Sequence, residues 1–376
     1  MVATLKIIHT ADWQLGKPFG RFPQEVRSAL AEARLDAIDG VGAAAVSSGA
    51  THILVAGDVF DNVDPGDRVV MQALSRMERV PATWWLMPGN HDHARAGGLW
   101  SRVHSRAPAN IRIVDTVSAV EMEAGAWLLP APLEYRKTVA DPTAAMVDMT
   151  TPPGALRIGL AHGSITEFGG TGESTNIIPA DRAKSAGLDY LALGDWHGFL
   201  TIGDRTAYSG TPEVDSFGRD EPGSCVGVTV RSADAPELKR LETGRYRWLT
   251  RSWNVETLED VERELTSLRS DFRLPDVLLS LGLTGVSTLA QRVRITSTIE
   301  QGLAHEVRHL ELNADGLSAR PTTEDMAQID VQGALAGAAA TLRARADGVG
   351  ADAQLAAAAL ERLYVEAIRI DAEASR

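Results

Sequence analysis

In ILVAGDVFD, residues 53–61, the four apolar residues Ile53 to Ala56 predict a short buried strand and Gly57 turns the backbone. Asp58 then leaves the carboxyl end of that strand, where open α/β sheets hold their ligand sites. The same arrangement recurs along the chain. Strand Leu5–His9 runs into a loop with Asp12 and Gln14, and WWLMPGNHD, residues 84–92, breaks at Pro88 and Gly89 to set Asn90 and His91 on a loop. RIGLAHG, residues 157–163, delivers His162, and YLALGDWHG, residues 190–198, delivers Asp195 and His197. Between strands, Val26, Leu30, Ala33, Ala37, Val41 and Ala44 recur at helical spacing and predict a helix over Gln24–Ser48, with a second over Asp67–Arg79. Strands alternating with helices predict a layered α/β core, and the closely spaced segments Ala126–Pro130 and Phe199–Ser209 predict antiparallel additions.

Working outward, the 376 residues are too many for one ordinary domain, and 44% hydrophobic content fills two or three cores. From about Arg245 the pattern changes. Tyr246–Val255, a helix over Leu258–Leu268, Val277–Leu283, a helix over Leu289–Leu303 and Val307–Leu312 read as a β-α-β-α-β unit. From Thr322 the chain is rich in Ala and Leu and predicts two helices, Ile329–Ala346 and Ala351–Ile370, the second with Leu355, Ala359, Leu363, Ala367 and Ile370 on one face. The expected domains are residues 1–245, 246–320 and a helical tail, 321–376.

Charge and cysteine usage narrow the class. Fifty acidic against 37 basic residues give a net charge of −13, which argues against a nonspecific nucleic-acid coat, though not against a local basic rim. MVATLKIIHT reads as a first strand and not a signal peptide, and no stretch reaches the roughly 18 apolar residues of a membrane span. Cys225 stands alone, so neither an intrachain disulfide nor a cysteine metal site is available, which fits a reducing cytoplasm.

The polar residues at the strand ends carry the chemistry. Asp12, Gln14, Asp58, Asn90, His162, Asp195 and His197 are oxygen and nitrogen donors without a thiolate, a set suited to hard divalent ions, manganese before zinc or iron. Two such ions about 4 Å apart clamp an in-line phosphoryl displacement, and a carboxylate such as Asp58 can bridge them. The plainer alternative is a set of loop residues capping helices.

HTADWQLG, GDVFD, PGNHD, AHG and LGDWHG, in this order, resemble the five signature blocks of calcineurin-like metallophosphoesterases. Within that superfamily the opening block, PGNHD and SGTPE, residues 209–213, look most like the bacterial SbcD-type DNA repair exonucleases. The resemblance covers residues 5 to 215 by motif. It implies a core of two mixed sheets flanked by helices, with a small α+β capping domain and a helical carboxyl-terminal tail. It further implies that Asp12, Gln14, Asp58 and His197 hold a first metal and Asp58, Asn90, His162 and Asp195 a second, both Mn2+ by preference. His91 would contact the scissile phosphate and protonate the leaving oxygen, with Asp61 orienting its imidazole through the other nitrogen.

Two positions depart from the family pattern. Gln14 stands where Asp-x-His is usual, and Asp195 where Gly-His-x-His is usual, so Gln14 is either a ligand or a residue behind one. An amide oxygen is a weaker donor than imidazole, so the first metal is expected to bind more weakly than the second. Trp13 and Trp196 flank the ligands and either stack on bases or wall a pocket; Arg21 and Arg95 are candidate phosphate contacts among loop arginines.

The activity implied is hydrolysis of DNA phosphodiester bonds by a metal-activated hydroxide, an exonuclease or end-processing step of double-strand-break repair. The resemblance also implies an SMC-like ATPase partner docked through the carboxyl-terminal helices, and a homodimer. Two other readings stand beside it: a phosphodiesterase for cyclic nucleotides or small phosphate esters, which the acidic charge favours, and a weakly catalytic DNA-binding scaffold subunit.

Overall fold

His52–Ala56 is buried at all its residues, so both faces must be covered, and parallel neighbours and two apolar layers cover them. It pairs in parallel with Thr4–Thr10 on one side and Thr83–Met87 on the other, which in turn pairs with Ile111–Ile113. Ser224–Arg231 joins antiparallel to Thr4–Thr10, and Glu237–Glu242 closes that edge, giving a mixed six-stranded sheet. The computed structural model describes residues 4–165, 175–232, 234–320, 322, 324–325, 329 and 335–374.

A second six-stranded sheet runs in the order Leu200–Ile202, Thr206–Tyr208, Tyr190–Gly194, Leu156–His162, Ala126–Ala131, Val120–Glu123. The period-two geometry of strands sorts their side chains. Leu54 and Ala56 face inward with Ile158, Leu160 and Ala192 between the sheets, whereas Ile53 and Val55 face outward with Leu74, Met77, Trp84 and Trp100. The outward layer is built by helices Gln24–Ser48, Asp67–Glu78 and Leu99–Arg106. The expected layered α/β core, two mixed sheets flanked by helices, is therefore what the chain builds.

The antiparallel additions differ in direction from the sequence reading. Ala126–Ala131 runs parallel to Leu156–His162, and only the short Val120–Glu123 opposes it. Likewise Thr206–Tyr208 is parallel to Tyr190–Gly194, with Leu200–Ile202 antiparallel at the edge. Each tight turn puts its reversed strand on the outside of the sheet, leaving the more buried partner to extend the parallel core.

The chain divides into two compact units, Met1–Ser216 with Glu221–Arg247, and Phe217–Asp220 with Trp248–Arg376. The second carries a three-stranded sheet of Arg247–Asn254, Val277–Ser287 and His309–Ala319, with helix Leu258–Asp271 started by a Thr257/Asp260 capping box. Helices Ala336–Ala346 and Ala351–Ala374 belong to this unit, and Ala339, Leu360 and Tyr364 pack with Leu289 and Ile329. Residues 330–334 of the first expected tail helix lie outside the described residues.

Trp84 tests the outer layer: it is fully buried, and its indole N–H donates to the Met77 carbonyl at 3.0 Å. Trp84→Ala is expected to cost about 3–5 kcal/mol through lost burial and a residual cavity. Urea denaturation measures it; a midpoint unchanged from wild type would contradict this packing.

Candidate metal centre

The loops after the first two strands run side by side. Asp12 N–H donates to the Gly57 carbonyl at 3.2 Å, Gln14 N–H to Asp58 at 2.9 Å, and Leu15 N–H to Val59 at 3.0 Å. This main-chain zipper aligns Asp12 with Asp58. It is made with unusual backbone: Asp12, Gln14, Asp58 and Asp195 have φ of 57°, 43°, 54° and 103°. A side chain with Cβ enters that region at a cost of about 1–3 kcal/mol and persists where the surroundings enforce it. Gly57, at φ 85°, and Gly89 let the backbones close in, since a Cβ would stand 2.3 Å from His162 Nδ1 and 2.2 Å from Asp58 Oδ1, respectively.

Asp12, Asp58 and His162 are buried, and one donor atom from each lies within 4.8 Å of the others, a group able to hold a metal ion. His162 Nδ1 sits 2.8 Å from the Ala56 carbonyl. A carbonyl only accepts, so Nδ1 carries a proton, and Nε2, the nitrogen left for a metal, lies 3.5 Å from Asp58 Oδ1 and 3.8 Å from Asp195 Oδ1. Asn90 Nδ2 donates to Asp195 Oδ1 at 3.4 Å, and Ser164 Oγ donates to Asp195 Oδ2 at 2.6 Å. Because a carboxylate only accepts, Asp195 fixes which way the Asn90 amide faces. Asn90 Oδ1 and His162 Nε2 are then buried without hydrogen-bond partners. Such atoms cost free energy unless something else satisfies them, and a divalent cation does. On this half of the site the residues fit a metal.

The other half is arranged differently. His197 Nε2 lies 3.4 Å from Gln14 Nε2, and its Nδ1 lies 3.4 Å from Asp215 Oδ1. Lys17 Nζ donates to Gln14 Oε1 at 3.0 Å and to Asp215 Oδ2 at 2.5 Å, and Arg34 stands 2.8 Å from the same carboxylate oxygen. Burial works to raise the Asp215 carboxyl, but His197, Arg34 and Lys17 hold it well below the usual carboxylate range.

His91 is partly buried; its main-chain N–H donates to Asp58 Oδ1 at 2.9 Å, and its Nδ1 donates at 2.9 Å to the carbonyl of Asp61. The orienting group from Asp61 is thus its main-chain oxygen and not the expected carboxylate. Trp13 corrects a second expectation: it is buried, its indole N–H donates to Thr10 Oγ1 at 2.9 Å, and it packs edge-on against Trp84, so no base can stack on it. Trp196 is exposed. Arg21 is exposed with its guanidinium 4.5 Å from the centre of the Phe22 ring, and exposed Arg95 lines a cavity of about 660 Å³ with His93 and Tyr135.

Four supporting residues were not read from sequence. Asp92 accepts from Gly89 N–H at 2.7 Å and Phe60 N–H at 3.0 Å, bracing the loops of Asn90 and Asp58. It is the last letter of PGNHD, so its signal was present. Asp215 follows SGTPE by two residues, and Lys17 follows HTADWQLG by one. Ser164 carried none.

The calcineurin-like phosphoesterase family matches residues 5–197 of this chain. The chain is 28% identical over 211 residues to the protein called uncharacterized metallophosphoesterase YhaO of Bacillus subtilis (strain 168), covering 52% of this chain and 50% of that one. It is also 28% identical over 277 residues to the SbcD component of the nuclease SbcCD of the same organism, covering 62% of this chain and 67% of that one. The chain thus spans half the length of the first relative and two-thirds of the second.

Buried charge makes the metal-free site pH-sensitive. Burial raises Asp12 to about 6 against the pull of His197 and His162, with Asp58 and Asp195 adding to the rise. Burial and then Asp58 push Asp92 up to about 7. Burial works to lower His162, yet Asp58, Asp12 and Asp195 raise it to about 9. All three folded values lie above their unfolded ones, so the folded chain binds extra protons, and the stability they confer is lost as pH rises through about 6, 7 and 9. The melting temperature of metal-stripped protein is therefore expected to fall from pH 6 to pH 9, and added Mn2+ to raise it more at the upper end. Scanning calorimetry over that range checks both; a metal-free midpoint that climbs would refute the charge assignment.

Proposed function

This chain belongs to the calcineurin-like phosphoesterase family, and from that premise we propose that it hydrolyses phosphodiester bonds of DNA, as an exonuclease or end-processing enzyme of double-strand-break repair. The observation that supports the phosphoester part is the pair of buried atoms without a hydrogen bond, Asn90 Oδ1 and His162 Nε2, beside Asp12 and Asp58. When bound there, a divalent cation, Mn2+ by the oxygen and imidazole character of the donors, neutralises phosphate oxygens and lowers the pKa of water. Asp58 also anchors the substrate-facing histidine through the His91 N–H, coupling cation position to imidazole position. With Nδ1 committed as a donor to the Asp61 carbonyl, His91 Nε2 is the nitrogen that meets the phosphate and, when protonated, delivers the proton to the leaving oxygen.

DNA as substrate is supported by similarity to a protein named as part of a nuclease, over a length greater than the phosphoesterase match. Exposed Trp196 is the candidate stacking surface, and Arg95 and Arg21 are the candidate phosphate contacts. The same similarity supports an SMC-like ATPase partner: helix Ala351–Ala374 exposes Leu355 and Ile370, the apolar side chains such a docking helix needs. A second reading, a phosphodiesterase for small phosphate esters, draws on the net charge of −13 and on the burial of Trp13.

Manganese-dependent degradation of end-labelled linear DNA, run beside a small chromogenic phosphodiester, separates the two. DNA is expected to be degraded, and His91→Ala to lower the rate by about 10²–10⁴-fold, the usual contribution of a positioned general acid. Cleavage of the small ester alone would favour the second reading, and a His91→Ala enzyme as fast as wild type would remove the proton-transfer role.

A further inference from the structure

We infer that the centre holds one divalent cation, and that the Lys17 ammonium supplies the positive charge where a phosphoesterase of this family would place another. The inference rests on the phosphoesterase reading of the site and concerns how its charge is provided. Its basis is the contrast between the two halves. On the Asn90/His162 side, Asn90 Oδ1 and His162 Nε2 are buried without a hydrogen bond, and the charges facing them are carboxylates. On the Gln14/His197 side, the corresponding atoms are already engaged within the chain.

Lys17 only donates, so the Gln14 atom 3.0 Å from its Nζ is the amide oxygen. That fixes the amide the other way round for His197, whose Nε2 faces the Gln14 NH2 group at 3.4 Å. Asp215 closes the loop by meeting Lys17 Nζ at 2.5 Å and His197 Nδ1 at 3.4 Å. Lys17, Gln14, His197 and Asp215 thus form a ring of contacts in which the Gln14 oxygen and the His197 Nε2 lone pair, the two atoms a cation would take, are occupied. A cation entering there would have to displace an ammonium and meet its repulsion at close range, a cost that falls little with salt in a partly buried setting. Arg34, 2.8 Å from the Asp215 carboxylate, keeps that carboxylate from serving as a spare ligand. Lys17 itself is 29% exposed at its side chain, so an anionic phosphate can approach it from solvent.

Counting manganese tests this without reference to turnover. Wild-type protein loaded with Mn2+ and passed through a desalting column is expected to retain one ion per chain by elemental analysis, with the electron paramagnetic resonance spectrum of an isolated ion. The variant Gln14→His/Lys17→Ala, which removes the ammonium and restores an imidazole, is expected to retain two ions with the broadened spectrum of an exchange-coupled pair. Two coupled ions in wild type would overturn the inference while leaving the phosphoesterase reading intact. A double variant that folds and still retains one ion would also overturn it, since Lys17 and Gln14 would not then be what fills the position. No retained manganese in wild type would overturn the metal reading and this inference together.

Discussion

Negative charge buried around one histidine is the constraint on which the rest of this site depends. Asp12 and Asp58 are almost wholly buried, Asp195 sits against them, and His162 is the imidazole within reach of Asp58 and Asp195. Carboxylates taken out of water cost several kcal/mol each unless paired, so such a cluster persists only where the fold forces it. The forcing elements are visible: a main-chain zipper between two loops, left-handed backbone at Asp12, Gln14, Asp58 and Asp195, glycines at the points of closest approach, and parallel strands in two mixed sheets whose carboxyl ends meet. Asp92 belongs to the same device, because its carboxylate ties the Gly89 and Phe60 amides together and so fixes the loops bearing Asn90 and Asp58.

The strand ends that carry this cluster were legible in the letters alone, whereas the zipper, the left-handed backbone and the role of Asp92 were not. A run of apolar residues ending in Gly-Asp or Gly-Asn is a strong statement about where a strand stops, and the five strand ends supplied the seven candidate donor positions, of which Asp12, Asp58 and His162 form a group able to hold a metal ion. Strands alternating with helices made the layered core readable as well, while the sorting of Leu54 and Ala56 from Ile53 and Val55 shows only in the packing, because all four letters are apolar. Sheet direction was not readable in the same way. A tight turn such as the one between Val120–Glu123 and Ala126–Ala131 announces an antiparallel pair, but not which member of the pair continues the sheet.

The misread residues have separate physical causes. Trp13 lies between two donors in the letters, and only the positive φ of both Asp12 and Gln14 turns the indole away from them and into the core. The sign of φ at a non-glycine residue is set by tertiary contacts, so it has no local signal. For Asp61 the letters suggested a carboxylate, whereas the atom in use is a carbonyl, which every residue has. Lys17 escaped because a lysine one residue past a motif is ordinarily a solvated surface charge.

The two departures, Gln14 and Asp195, acquire a common meaning when charge is followed across the centre. Replacing an imidazole by Asp195 adds a negative charge on the side that already holds Asp58, and replacing another by Gln14 removes a strong donor from the side that holds Lys17 and Arg34. Asp215 meets both of those cations, and the buried Glu213 carboxyl also interacts with Arg34. The cations of the centre thus stand on the Gln14 side, together with their own counter-charges. At separations of a few ångströms in a partly desolvated site, unit charges interact by about 4 kcal/mol at an effective dielectric of 20, enough to decide which species occupies which end. On the reading proposed above, a divalent cation belongs at the Asp58 and Asp195 end and a phosphate oxygen at the Lys17 end. Each substitution taken alone looks like damage to a metal site; taken together they add one negative charge at the Asp58 end and leave a weaker donor at the Lys17 end.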